Sequence, residues 1–170
     1  MTAYVALLRA VNVGGAGKLA MSELKAMCEK AGFAKVRTYI ASGNVVLESG
    51  LPEARVKSAV EEALEAHAGK PARVLVRTAA EIKGVLADNP FPEAAPDRVI
   101  VLFLDRPPPA AALNAISGRD GEDVVLGRRE IYVHYPNGMG RSKLKIPAAR
   151  DGTGRNLNTV AKLAAMAAET

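Results

Sequence analysis

The hydrophobic period of the first half changes in the order strand, helix, strand, strand, helix, strand, and no other feature restricts the fold as strongly. Tyr4 to Val11 is an apolar run of strand length. Ser22 to Ala31 has helical spacing, and Gly32 stops it. Val36 to Ile40 and Val45 to Leu47 read as strands around the turn Ala41-Ser42-Gly43-Asn44. Pro52 opens a second helix with the apolar stripe Val56, Ala59, Val60, Ala63 and Leu64, ending near Gly69. Val74 to Val76 is the next strand. A βαββαβ order predicts a ferredoxin-like unit.

Thr78-Ala79-Ala80-Glu81 is a capping box, so a connecting helix starts there. Asn89-Pro90-Phe91-Pro92 ends it, and the Pro/Ala-rich stretch to Pro96 marks a boundary. The pattern then restarts. Val99 to Leu104 is a strand, and the prolines Pro107 to Pro109 open a helix running to Ile116. Val124 to Leu126 and Ile131 to Tyr135 form a hairpin, and a last helix covers about Leu157 to Ala168. No closing strand is visible. The expectation is an α+β protein of two ferredoxin-like halves, with antiparallel sheets, helices on one face, and the second half incomplete. Residues 1–78 form the first half, 79–96 the connecting helix and linker, and 97–170 the second half with the C-terminal helix.

At 170 residues, such a chain buries enough surface for a core without covalent staples. Aromatics are 4% and Trp is absent, so Val, Leu, Ile and Ala must build that core. One cysteine excludes an intramolecular disulfide. Cys28 stands at helical spacing with Leu24, Met27 and Ala31, the position of core filler. The longest apolar runs are too short to span a bilayer, and the start lacks a charged leader. A cytoplasmic protein is expected, with no membrane partner. His67, His134 and Cys28 are isolated and predict neither a metal site nor a cofactor.

Charge is uneven. Between Gly138 and Lys162, Arg141, Lys143, Lys145, Arg150, Arg155 and Lys162 face Asp151 alone. Such a local field favours anionic partners or is a solvated basic face. The loop Tyr135-Pro136-Asn137-Gly138-Met139-Gly140-Arg141-Ser142-Lys143 supplies amides, a planar fork and a point charge, the groups that hold a phosphate. Arg155, Asn156, Asn158 and Thr159 follow at the last helix start, where Asn156 or Asn158 is also a natural N-cap. In the first half, topology should bring Asn12 to Gly15, Lys18, Ser22 and Ser42-Gly43-Asn44 to one sheet edge. That is either an anion cradle or ordinary turn chemistry. Strand alternation sets Arg37 with Tyr39, and Arg73 with Arg77, opposite the apolar residues, with Arg9 beside them. An arginine-lined sheet face follows, open to an acidic ligand or paired internally.

Sharper motifs fail. Gly15-Ala16-Gly17-Lys18-Leu19-Ala20 fits GxGxxA, but no parallel βαβ follows and Arg37 stands where an acidic residue belongs. Gly17-Lys18 is not a P-loop, because Asn12 replaces its first glycine. Ser142-Lys143-Leu144-Lys145 fits SxxK without its companion elements. The strand Val45-Val46-Leu47 has no aromatic to stack an RNA base.

Five segments together resemble a known family. They are Tyr4 to Gly15, Arg37 to Val46, Asn89-Pro90-Phe91, His134 to Leu144 and Arg155 to Leu163. In order and across nearly the whole chain, they are similar to the bacterial family catalogued as domain of unknown function 1697. Ala10 stands where that family usually has Gly, and Leu157 where it usually has an aromatic. The resemblance implies two ferredoxin-like parts and no established activity. Its recurrent polar positions fall on Arg9, Asn12, Arg37, Ser42, Asn44, Arg141, Ser142, Lys143, Arg155, Asn156, Asn158 and Thr159.

The leading expectation is a protein that binds a phosphate-bearing or other anionic ligand, small molecule or nucleic acid alike, through the Gly-rich basic loop. The alternatives are an enzyme on a phosphorylated or carboxylate substrate, and an oligomerising module that packs its arginine-lined face on a partner. Oligomeric state stays open.

Overall fold

A computed structural model describes residues 1–9, 21–39, 43–69 and 72–168. They divide into two units, 1–82 with 163–170, and 83–162. The first contains β1 (Thr2–Arg9), α1 (Met21–Lys30), β2 (Ala34–Tyr39), β3 (Asn44–Ser49), α2 (Glu53–Ala68) and β4 (Arg73–Thr78). Its sheet has the order β2-β3-β1-β4 with every pair antiparallel.

The expected alternation builds one face of this sheet. Tyr4, Ala6 and Leu8 of β1 join Val45, Leu47, Val74 and Val76. Leu24 and Cys28 of α1, with Val56, Val60 and Leu64 of α2, close over them at i, i+4 spacing. Removing one such side chain, as in Leu47→Ala, costs about 2–5 kcal/mol through transfer and cavity terms. α2 ends at Gly69, whose φ of 72° is left-handed and whose N–H donates to the Glu65 carbonyl at 2.8 Å.

The opposite face is buried too, which the sequence does not foretell. Val5, Leu7, Val46 and Leu75 lie there, all buried, and Arg77 among them is 1% exposed. Arg37 on β2 donates from Nη1 to the Met166 carbonyl at 2.7 Å. Hence Arg77 and Arg37 do not line an open surface: the first is interior and the second is spent on the last turn of the C-terminal helix, while Arg73 at the start of β4 is exposed.

α3 (Ala79–Ala87) opens on the expected capping box. The Thr78 Oγ1 accepts from the Glu81 N–H at 3.1 Å, and the Thr78 N–H donates to Glu81 Oε1 at 2.9 Å. The second unit then contains β5 (Val99–Phe103), β6 (Asp123–Leu126), β7 (Glu130–His134) and β8 (Thr153–Asn156), followed by α4 (Leu157–Ala168). Its order, β6-β7-β5-β8, repeats the first sheet strand for strand.

The second half is therefore incomplete in its helices, not in its strands. The closing strand is β8, Thr-Gly-Arg-Asn, which has no apolar residue and so no hydrophobic signature. The helix expected from Pro107 to Ile116 is a 3-10 segment, Ala110–Ala115, in which Ala112 alone is buried. Its Leu113 is 43% exposed, so the segment buries too little apolar surface to dock an α-helix on the sheet. In its place, Leu144, Ile146, Ala148 and Ala149 of the loop after β7 cover Leu104, Ile131, Val133 and Tyr135 of the sheet.

Candidate functional site

The loop after β7 is pinned at several points. The Tyr135 N–H donates to the Arg98 carbonyl at 2.8 Å, extending the β5–β7 ladder. Gly138 adopts a φ of 82°, and its N–H donates to the Tyr135 carbonyl at 3.0 Å. The Ser142 N–H closes a turn on Met139 at 3.1 Å. Lys145 and Ser117 exchange N–H to C=O bonds at 2.8 and 3.1 Å. Gly118, with a φ of 70°, lies so close that a Cβ would collide with the Lys143 carbonyl.

The side-chain clamp is Ser142 with Glu122. The Ser142 hydroxyl donates to Glu122 Oε2 at 2.8 Å and accepts from the Leu144 N–H at 3.2 Å. Oε1 of the same carboxylate receives the Asp120 N–H at 2.6 Å. These donors, the Asp120 amide foremost and the Ser142 hydroxyl next, hold the Glu122 carboxyl below its ordinary value. Burial first, then the Glu122 charge, raises the Tyr135 phenol.

What the clamp presents is cationic. Arg141 and Lys143, on either side of Ser142, are exposed, and neither has an ion-pair partner among the described residues. The exposed Arg98 donates from Nη1 to the Pro136 carbonyl at 2.7 Å, which sets its guanidinium against the same turn. The amides of Gly138, Ser142 and Leu144 are spent within the loop. Those of Met139, Gly140, Arg141 and Lys143 have no protein acceptor among the described residues.

The remaining expected site residues are placed as follows. Asn12 and Ser42 lie outside the described residues, as do Gly14, Gly15 and Lys18. Arg9 is half-buried at the end of β1. Asn44 is buried at the start of β3, where its Nδ2 donates to the Tyr39 carbonyl at 2.9 Å and ties the β2–β3 turn. Arg37 reaches Met166. Arg155 is buried on β8 and donates from Nη1 to Thr153 Oγ1 at 2.8 Å and to the Gly154 carbonyl at 2.9 Å. Burial lowers its guanidinium to about 10. Asn156 caps α4, its Oδ1 accepting from the Thr159 N–H at 2.9 Å. Thr159 is buried and Asn158 exposed.

Arg141, Ser142 and Lys143 thus form one cluster, and Arg155, Asn156 and Thr159 a separate one built into the β8–α4 junction. Sequence reasoning omits Glu122 and Arg98. Arg98 had a signal: antiparallel pairing of β5 with β7 puts it opposite Tyr135. Glu122 had none, since nothing local ties it to a serine that follows a whole hairpin later. Among the described residues no group of three or more His, Cys, Asp or Glu side chains could hold a metal ion. None of their helices is long and apolar enough to cross a membrane.

These features define an α+β protein of two four-stranded antiparallel sheets, one unit bearing a clamped basic loop. The chain belongs to the family described as protein of unknown function (DUF1697), which matches residues 1–132. A solved structure, that of conserved bacterial protein SP0830 from Streptococcus pneumoniae, superposes with a TM-score of 0.80. The two share 25% identity over 98% of each chain. No curated protein matches this chain.

Proposed function

We propose that this protein binds a phosphate-bearing or similarly anionic ligand on the loop from Tyr135 to Lys145. One observation carries the reading. The loop backbone is fixed by Glu122 through Ser142, while Arg141 and Lys143 stand exposed without a carboxylate partner among the described residues. Holding the backbone in place lowers the ordering cost when an anion arrives. The one acid in the clamp is already occupied by donors, so its field at the loop surface is partly offset. Arg98 adds a third cation against the same turn.

The test is binding of a labelled random oligonucleotide and of inorganic triphosphate across a salt series. Affinity for one of the two should fall steeply with salt. The Arg141→Ala/Lys143→Ala double variant should weaken it and, for the oligonucleotide, reduce the salt slope by about two. The arm that binds separates nucleic acid from small phosphates. No salt-sensitive binding in either arm, or unchanged binding by the double variant, would remove this loop as the site.

A further inference from the structure

The free edges of the two sheets are not alike. An edge strand offers unpaired amides and carbonyls to any other strand unless something covers them. β4, at the end of the first sheet, is covered. The Val74 N–H donates to Glu61 Oε2 at 3.0 Å, and Lys57 Nζ donates to the Val74 carbonyl at 2.7 Å. Arg77 Nη1 takes the Val76 carbonyl at 3.0 Å, and Glu81 takes the Thr78 N–H. At the other end, β2 breaks register between Ala34 and Arg37, with Lys35 at a φ of 48°. A bulge bearing a lysine blunts an edge. In the second sheet, Arg155 covers the Gly154 carbonyl on β8.

β6 has no such cover. The Gly127 N–H donates to the Glu130 carbonyl at 2.7 Å, so by ladder alternation Val125 and Asp123 also face β7. Val124 and Leu126 then direct their N–H and C=O groups outward. Among the described residues these groups have no hydrogen-bond partner. Val125, between them, is 38% exposed.

We propose that the outer edge of β6 pairs antiparallel with β6 of a second copy of this chain, centred on Val125. In that register Val124 opposes Leu126 of the other copy, exchanging two hydrogen bonds, and the reciprocal pair does the same. The two Val125 side chains meet at the close, non-hydrogen-bonded position. Charge selects a second copy over an unrelated segment. β6 is entered through the exposed Asp120 and Asp123 and left through the exposed Arg128. An antiparallel pair sets the acidic end of each strand beside the basic end of the other. The contact of Asp123 with Arg119, at 3.5 Å between exposed groups, is too solvated to cancel this. So short a strand buries little area, so the association belongs to the weak, transient class.

Sedimentation velocity from about 1 μM to about 1 mM tests this, alongside amide exchange at low and high concentration. The mass should rise toward that of a dimer, and the Val124 and Leu126 amides should gain protection with concentration. Val125→Lys should weaken association about tenfold or more by setting two ammonium groups face to face. Asp123→Arg and Arg128→Asp should each weaken it, and the two together should restore it. A monomer mass throughout, with exchange at Val124 and Leu126 independent of concentration, overturns the proposal. So does association by Val125→Lys equal to that of the parent. The exchange measurement uses the unaltered chain, so a misfolded variant leaves the question decided.

Discussion

Arg77 and Arg155 occupy the same position in the two units. Each is buried on the closing strand of its sheet, opposite Val5 and Val101 respectively. Each donates from Nη1 to the carbonyl just before it, Val76 or Gly154. Each is followed at once by a helix-capping residue, Thr78 or Asn156. A buried guanidinium that satisfies an outward carbonyl closes the edge where the chain must leave the sheet for a helix. Removing it leaves that carbonyl without its donor. Arg155→Met should destabilise the protein by about 1–3 kcal/mol, read as a lower urea midpoint. A midpoint equal to the parent's would mean that water replaces the guanidinium without loss.

The two caps give a matched pair of measurements. Thr78→Ala and Asn156→Ala each delete a side-chain acceptor for an N3 amide, and each should cost about 1 kcal/mol. Thr78→Ala also loses half of a reciprocal pair with Glu81, so Glu81→Ala should add less in its background than alone. Thermal unfolding of the three single variants and of the Thr78→Ala/Glu81→Ala double variant checks both statements.

Glu122 makes stability depend on pH in a definite direction. Its carboxyl is held below the ordinary 4.5 in the fold, so the unfolded chain takes up the proton first as pH falls. The stabilisation is complete above 4.5 and disappears as pH drops through the folded value. Urea midpoints across that range should fall more steeply for the parent than for Glu122→Gln. Parallel curves would show that the clamp on Ser142 contributes nothing.

Gly118 is the backbone counterpart of that clamp. Gly118→Ala demands a left-handed φ of 70° from an L residue and drives its Cβ into the Lys143 carbonyl. It should destabilise by about 1–3 kcal/mol and displace the segment that carries Lys143. Anion affinity should fall along with the melting temperature, although the substitution removes no charge.

Cys28 reports on unfolding. Burial, and then the neighbouring Glu29, pushes its thiol up to about 11, so little thiolate forms at neutral pH. Alkylation should be slow in the native protein and rise with urea along the unfolding curve. Rapid labelling without denaturant would mean that α1 opens locally.

Much of the first unit was legible because each element there announces itself. β1 and β3 are apolar runs, α2 carries a stripe from Val56 to Leu64, and Thr78 with Glu81 spells its own cap. The second unit hides its closing strand, since Thr153-Gly154-Arg155-Asn156 is held by pairing with β5 and by a buried guanidinium instead of hydrophobicity. Pro107 to Ile116 was misleading because prolines start α-helices and 3-10 turns alike. In the candidate site, Arg141 and Lys143 could be picked out as charges. The role of Ser142 could not, because its partner Glu122 is near only after folding. Arg37 and Arg77 show the same limit: alternation gives a side chain's face, and only tertiary structure says whether water reaches it.

The second unit covers its sheet with the loop after β7. Where the first sheet is roofed by α2, this one is roofed by Leu144 and Ile146, and Lys143 is their immediate neighbour. The residues that would meet a guest and the residues that keep the sheet dry are beads on one short thread. Occupancy at the rim should therefore be felt beneath it, as a tighter lid and a slower exchange of the strands below.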